Sequence, residues 1–342
     1  MPGNATFRYD NTSVLSVTHV EAPVRVPSTR FEERLAATRK RLRIPRNMLE
    51  RISGVVERRW WDADTRFDDP AIEAGAKAIA EAGVDPGRVG LLVNTSVTRK
   101  HLEPSVAVRV HHELSLPSSA LNFDIANACL GFVNGMMLAA TMIDAAQIDY
   151  AVIVNSEDTR DTQERTLQRL EHTDATREDF QREFASLTLG SGAAAAVLGR
   201  ADAHPNGHRL VGGVSRAGTE HNQLCVGGLD GMYTDTKGLL EGGLPLVVDA
   251  WREANNGAGF DWSDMDRYVT HQISTPYTSA IIDALELDAE RVPTTFSHWG
   301  NVGPASLPMT LAAQSGSLVP GDRVLCMGVG SGLNTAMLEL QW

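Results

Sequence analysis

The feature that most constrains this chain is a pattern that runs twice. Between residues 89 and 200, apolar strand-like runs alternate with helical patterns: "VGLLVNTSV" (89–97), "LNFDIANA" (121–128), "IDYAVIVNSE" (148–157) and "GAAAAVLGR" (192–200). Between 266 and 342 the alternation returns in "DRYVTHQIS" (266–274), "RVPTTFS" (291–297), "DRVLCMGVG" (322–330) and "NTAMLELQW" (334–342). Each set runs strand, helix ("PSVAVRVHHEL", then "PYTSAIIDALEL") and second strand. A loop then leads into another helix ("CLGFVNGMMLAATMIDAA", then "PASLPMTLAAQSGSL") and a further strand. Short apolar strands separated by helices imply an α/β protein whose strands are mostly buried. The shared order with little residue identity predicts one unit used twice, in halves 1–200 and 201–342 related by a pseudo-twofold axis. Two unrelated α/β domains fit the topology alone. In the doubled reading, the loop after each second strand falls near the junction of the halves. Cys129 stands in one such loop and Asn301 in the other.

Bulk properties narrow the function. A chain of 342 residues is long enough for two domains or one doubled domain. The formal net charge of −12 argues against a nucleic-acid partner, which requires a basic surface. The cysteines, Cys129, Cys225 and Cys326, are few, odd in number and widely spaced, which points to a reducing compartment and not to disulfides. No CxxC pair suggests zinc, and no metal site is expected. "MPGNATFRYDNTSVL" has no basic start leading into an apolar run, so no signal peptide is expected, and the sequons at Asn4 and Asn11 are chance. No apolar stretch is long enough to span a bilayer, and the expected location is the cytoplasm. The charged stretch "EDTRDTQERTLQRLEHTDATREDFQREF", an insert over about 158–187, reads as a helical, solvated cap in preference to a substrate lid. The basic run "TRKRLRIPR" (38–46) reads as a solvated face.

Four places can carry chemistry. Cys129 stands where a buried strand (122–128) turns into a helix. The unpaired N–H groups of a helix start lower a thiol's pKa and favour the thiolate. Ala126, Ala128 and Gly131 leave the sulfur unobstructed, as a sharp elbow requires. The ordinary role of a cysteine is a small buried hydrophobe, and Cys225 and Cys326 are read that way. His271 ends a strand in "YVTHQIS", and Asn301 stands in the turn "HWGNVGPASLP". The glycines of "GVGSGLN" (328–334) form either a tight turn or a place where backbone N–H groups meet an oxyanion. Alone, each has a structural explanation. The ordered set of Cys, His, Gly-Asn and glycine turn, each at a strand end, is far more specific.

Over nearly its whole length the chain resembles the thiolase superfamily, specifically condensing enzymes related to 3-oxoacyl-ACP synthase III. "SGVVERRW" (53–60), "FDIANACLGF", "HQ" (271–272), "GNVGPAS" and "GVGSGLN" carry the resemblance. It is finer still to the OleA-type acyl-CoA:acyl-CoA alkyltransferases, through "NTSVTRKHLEPS" (94–105), "IANACLGFVNGM" (125–136), "GNVGPASLP" (300–308) and "GSGLN" (330–334). The resemblance implies the thiolase fold, with duplicated βαβαβαββ halves in a five-layer αβαβα arrangement. It also implies a non-decarboxylative, head-to-head Claisen condensation of two fatty acyl-CoA molecules to a 2-alkyl-3-oxoalkanoic acid, in long-chain olefin or β-lactone biosynthesis. The substrates are coenzyme A thioesters, and no cofactor is expected.

In that reading Cys129 carries the first acyl chain as a thioester. The N–H groups of Cys129 and Gly332 hold the oxyanion, and His271 and Asn301 donate hydrogen bonds to the second acyl group's enolate oxygen. A malonyl donor makes its carbanion by losing carbon dioxide, whereas an unactivated acyl thioester must surrender an α-proton to a base. Glu103 in "HLEPS" resembles the glutamate that supplies this base from a partner subunit, so a homodimer is expected. Downstream enzymes would take the product. Trp60, Trp61 and Met136 are expected in the acyl tunnel, and Arg58 and Arg59 either at the CoA phosphates or in structural ion pairs. After His271-Gln272 the chain has Ile273, Ser274, Thr275 and Pro276 where the synthases show Ala-Asn and then an arginine, which weakens a carrier-protein reading. Ser191 replaces an acidic residue common in relatives. The rival reactions are a decarboxylating synthase III-like or polyketide-starter acyltransferase, a cysteine-dependent acyl-CoA hydrolase, and a non-catalytic partner subunit.

Overall fold

A computed structural model describes residues 3–228 and 231–342. The N-terminal portion contains β1 (Ala5–Arg8), β2 (Thr12–Glu21), β3 (Val24–Pro27), α1 (Ser28–Arg34), α2 (Ala36–Leu42), α3 (Met48–Ser53) and β4 (Glu57–Trp60). There follow α4 (Asp69–Ala82), β5 (Val89–Asn94), α5 (Val106–Glu113), β6 (Leu121–Asp124), α6 (Gly131–Asp144), β7 (Tyr150–Glu157), α7 (Arg160–Glu171), α8 (Arg177–Glu183) and β8 (Gly192–Arg200). The remainder is β9 (His208–Ala217), β10 (Cys225–Gly228), β11 (Gly231–Thr234), α9 (Thr236–Asn256), β12 (Arg267–Thr270) and α10 (Thr275–Leu285). It ends with α11 (Phe296–Trp299), α12 (Ser306–Gln314), β13 (Arg323–Gly330) and β14 (Asn334–Gln341).

Two strand sets meet where β2 pairs with β9 through Ser13↔Arg209 and Val14↔His208. Outward from that seam, one set runs β2, β8, β7, β5, β6 and the other β9, β14, β13, β12. The order is the same: the first strand of each set lies at the seam, then its last, then its fourth, then its second. The first set ends on its third strand, β6. In the second set that place belongs to 291–297, expected as a strand, which instead forms turns and α11. Pro293 cannot donate to a ladder. The Gln272 side chain takes the neighbouring strand's place, donating to Pro293 O (3.1 Å) and accepting from Thr295 N (2.8 Å).

Alternation along the strands sorts the layers. In β8, Ala194, Ala196 and Leu198 pack with α6 and α12, whereas Ala193, Ala195 and Val197 pack with α4 and α5. In β13, Val324 and Cys326 face the same middle layer, and Leu325, Met327 and Val329 face α9 and α10. The succession α4/α5, sheet, α6/α12, sheet, α9/α10 is the five-layer αβαβα thiolase fold. Helix α6 is apolar around most of its circumference because both of its sides meet a sheet.

A fourth core, including Phe31, Leu35, Trp60, Leu167, Leu170, Phe180 and Leu187, joins α1–α3 to α7 and α8. The charged insert is thus a cap with its own packed interior and not merely a solvated surface: Gln163, Thr166 and Leu167 are fully buried. The sequence also misplaced one strand environment. Strand β6, expected to be buried, forms the edge of the sheet with Leu121 52% exposed.

Candidate active site

The elbow at Cys129 is visible in the backbone. Ala128 has φ +45°, a left-handed conformation rarely adopted by a residue with a Cβ, and it sharpens the turn between β6 and α6. Helix α6 starts at Gly131, two residues later than expected, with Leu130 at its N-cap. The glycine turn reaches the elbow from the other half: a Cβ on Gly330 would stand 3.0 Å from Asn127 O and 3.2 Å from Leu130 N. Asn334 Nδ2 also donates to Asn127 Oδ1 (3.4 Å), and Asn127 Nδ2 to Asn134 Oδ1 (2.7 Å).

The sequence predicted a thiolate at Cys129. The structure reverses that. Burial pushes the thiol up to about 12, the nearby Cys225 and Glu157 act in the same direction, and only its own backbone N–H pulls the other way. The resting group is a thiol because the low-dielectric surroundings outweigh the helix start. Cys225, read from sequence as a buried hydrophobe, is half-buried on the β10–β11 hairpin, its Sγ 3.6 Å from Thr234 Oγ1. Cys326 is fully buried in β13, as expected.

His271 follows β12, which pairs with β13, and its N–H donates to Met327 O (2.9 Å). The ring is 3% exposed, Nδ1 has no hydrogen-bond partner among the described residues, and burial lowers its pKa to about 4. The imidazole is therefore neutral at neutral pH. Six residues on, the buried Tyr277 hydroxyl also lacks a partner and is close enough to Cys129 to feel its charge.

Asn301 is held by both chain directions: its N–H donates to Thr188 O and its carbonyl accepts from Gly190 N, each at 2.9 Å. Its Oδ1 accepts from Gly303 N (2.9 Å) and faces Ser306 Oγ (3.5 Å), which leaves Nδ2 as the outward donor. Gly300, at φ +73°, must be glycine, because a Cβ would sit 2.8 Å from Thr188 O and 2.9 Å from Leu189 O. The glycine turn thus lies against the Cys129 elbow, His271 is tied to the same strand β13, and Asn301 is held by the chain entering β8. Gly332, at φ +131° between β13 and β14, makes no backbone N–H hydrogen bond among the described residues.

Glu103 lies elsewhere. It is exposed on the loop leaving β5, and its carboxylate makes no hydrogen bond or ion pair with any described residue. Near the root of that loop is a group the sequence analysis passed over, Glu157 at the end of β7. It is 4% exposed and accepts from Val97 N (2.8 Å), Thr98 N (3.0 Å) and Thr98 Oγ1 (2.6 Å). Burial lifts its carboxyl to about 7, against those donors. A carboxylate closing the apolar run "YAVIVNSE" was the available signal.

The proposed substrate contacts need correction. Arg58 is fully buried and donates to Val26 O (3.2 Å) and Leu187 O (2.8 Å) across the Phe31 ring, and burial lowers its pKa to about 9. It ties the cap to β3 and is not presented to a phosphate. Arg59 faces Glu21 (3.3 Å) and Glu57 (3.9 Å), the ion-pair alternative. Trp60 belongs to the cap core and donates to Gln163 Oε1, and Trp61 donates to Glu157 O (2.9 Å). Met136 alone lies on the same helix as the Cys129 elbow, in the middle layer. Ser191 is fully buried, its Oγ accepting from Thr159 N (3.0 Å) where the chain turns into α7.

Residues 123–215 match the 3-oxoacyl-[acyl-carrier-protein] synthase III family and 256–342 match its C-terminal domain. The acyl-CoA:acyl-CoA alkyltransferase of Xanthomonas campestris is 41% identical, covering 98% of this chain and 99% of its own. The enzyme of that name from Shewanella oneidensis is 34% identical over 98% of this chain and all of its own. The chain belongs to the acyl-CoA:acyl-CoA alkyltransferase family. It is an acyltransferase of the condensing kind, with a thiolase fold. The Xanthomonas campestris OleA crystallised with lauric acid and lauroyl-CoA superimposes with a TM-score of 0.95, covering 98% of this chain and all of that one. A β-ketoacyl-[acyl-carrier-protein] synthase III of Streptomyces coelicolor is more distant, 28% identical over 85% of this chain and 83% of its own. Among the described residues no helix is long and apolar enough to cross a membrane, and no cluster of His, Cys, Asp and Glu could hold a metal ion.

Proposed function

We propose that this chain joins two fatty acyl-CoA molecules head to head without decarboxylation, as a cytoplasmic homodimer supplying long-chain olefin or β-lactone biosynthesis. Cys129 begins as a thiol, so its proton must leave as sulfur attacks the first acyl-CoA. The neutral imidazole of His271 can take that proton and return it to the departing CoA. Glu103 of a second subunit removes the α-proton of the second acyl-CoA, and His271 and Asn301 Nδ2 donate to the enolate oxygen. The carbanion attacks the Cys129 thioester, whose oxyanion lies between the Cys129 and Gly332 N–H groups, and sulfur is released. Water then hydrolyses the remaining thioester, giving the 2-alkyl-3-oxoalkanoic acid and a second CoA. The condensation steps are assigned to side chains and backbone groups of the protein, with no cofactor.

The observation that carries this reading is Glu103, an exposed carboxylate without a partner among the described residues, in a unit that also exposes Val97, Leu102, Val108 and Leu121. A base placed outside its own site, beside exposed apolar residues at a sheet edge, suits catalysis across a subunit interface. Crystal forms of the Xanthomonas enzyme with a substituted glutamate, cysteine or histidine give further support. Those three residues follow one another at the same separations as Glu103, Cys129 and His271. The test gives the protein fatty acyl-CoA and no malonyl donor. CoA release with a β-keto acid is expected, and Glu103→Ala should retain the Cys129 adduct by mass spectrometry while losing the condensed product. Turnover that requires a malonyl thioester overturns the proposal; free fatty acid as the main product, undiminished in Glu103→Ala, makes the chain a hydrolase.

A further inference from the structure

The loop that carries Glu103 is gripped at both ends by buried carboxylates from the two strands flanking it. Strand β5 lies between β7 and β6, parallel to both, and its chain leaves the sheet at Asn94 beside Val154 and Asp124. Glu157, at the end of β7, accepts the N–H groups of Val97 and Thr98 and the Thr98 hydroxyl, all at 3.0 Å or less. Asp124, at the end of β6, has a side chain 6% exposed. Its Oδ2 accepts from Val106 N and its Oδ1 from Ala107 N, both at 3.0 Å, where the loop enters α5; Asn94 Nδ2 donates to the same Oδ1 (3.1 Å). Between these ends, Arg99 pairs with Asp124 (3.6 Å), Lys100 with Asp161 (3.0 Å), and the His101 ring meets Phe67 edge-on. Within the loop only Leu102, Glu103 and Pro104, the tip, are exposed in succession.

We propose that Glu157 and Asp124 are positioning residues for Glu103, fixing from β7 and β6 the two feet of the loop that presents it to the partner subunit. The inference rests on the reading that Glu103 acts in trans. Glu157 fills the hydrogen-bond needs of loop N–H groups that the sheet no longer pairs, and Asp124 those of the first turn of α5, so both feet are fixed at no cost in unsatisfied donors. A base on a long exposed loop without such feet would sample many positions. Misplacement by about 1 Å costs on the order of 100-fold in rate.

The test separates the two half-reactions in the full-length protein. Glu157→Gln keeps the shape but replaces one acceptor oxygen with a donor, and Asp124→Asn does the same at the other foot. Each should lower the condensation kcat by about 10- to 100-fold. Neither should slow the burst of CoA release that reports Cys129 acylation by more than about twofold; loss of the Glu157 charge near the sulfur favours deprotonation, so in Glu157→Gln that burst can only quicken. If either variant folds poorly, Thr98→Val removes a single donor from the loop's side and should show the same split more weakly. Parallel loss of both half-reactions in folded protein, or condensation at the wild-type rate, overturns the proposal. If Glu103→Ala abolishes condensation while the clamp variants condense normally, this inference alone fails. If Glu103→Ala condenses normally, the functional reading beneath it fails.

Discussion

With the Cys129 thiol pushed up to about 12 and the His271 imidazole lowered to about 4, both groups are neutral at rest. His271 also links this site to acid stability. Its ordinary value is 6.5, and its folded value is lowered to about 4 by burial. Between those values the unfolded chain binds the extra proton, so stability falls as pH drops from 6.5 towards 4, by up to about 3 kcal/mol. Glu157, raised from 4.5 to about 7, has the opposite sign, gaining relative stability as pH falls through the same region. Comparison with His271→Asn isolates the histidine: in urea melts, the variant should lose less stability than the parent between pH 6.5 and 4. Equal losses would mean that His271 is protonated in the folded site. Arg58 provides the second residue-scale prediction. Arg58→Ala strips Leu187 O of its donor and opens space over Phe31, costing roughly 2–4 kcal/mol in denaturant melts. The KM for acyl-CoA should stay within about twofold. A raised KM with unchanged stability would restore the phosphate role.

Among the elements, the cap shows how a charged segment becomes part of the fold. Helix α7 places Thr166, Leu167 and Leu170 on one face and Asp161, Glu164 and Glu171 on the other, and Arg34 of α1 reaches Glu164 (2.6 Å) and Glu171 (3.0 Å). Helix α8 is only seven residues long and depends on its start, where Thr176 Oγ1 accepts from Asp179 N and Asp179 returns a bond to Thr176 N. Thr176→Ala should cost about 1 kcal/mol, read as an earlier midpoint in thermal melts, and leave acylation of Cys129 unchanged. An effect on acylation would tie this helix directly to the active site. The strands show the same dependence on surroundings. Runs that the sequence marked as strands in 192–200 and 322–330 are strands with nearly those bounds, because both faces are covered by helices. Residues 291–297 form no ladder, since Pro293 breaks the donor pattern and Gln272 supplies a partner by side chain.

For the whole molecule, the open question is what covers the β6 edge. An edge strand with an exposed Leu121, next to a loop exposing Val97 and Leu102, is a surface that soluble chains rarely leave bare. In a homodimer pairing these edges, Leu121→Asp places a charge in the interface and should yield monomer by light scattering. That monomer should still acquire an acyl group on Cys129 and fail to condense, because Glu103 has no partner site to enter. Condensation by a demonstrated monomer would remove the trans requirement.

By itself, the sequence determined the repeated strand–helix order, the Cys129 elbow, the strand end at His271, the Gly-Asn turn at Asn301, and the family. These are local signals: apolar periodicity, glycine where the backbone is crowded, and short motifs at strand ends. The tertiary structure decided what depends on neighbours distant in the chain. It set the protonation of Cys129, buried Arg58 and Trp60 in the cap, left β6 at an edge and placed Glu157 and Asp124 on either side of β5. A pKa, a burial or a clamp is a sum over groups brought together from far along the chain, and no window of sequence contains all the terms of that sum.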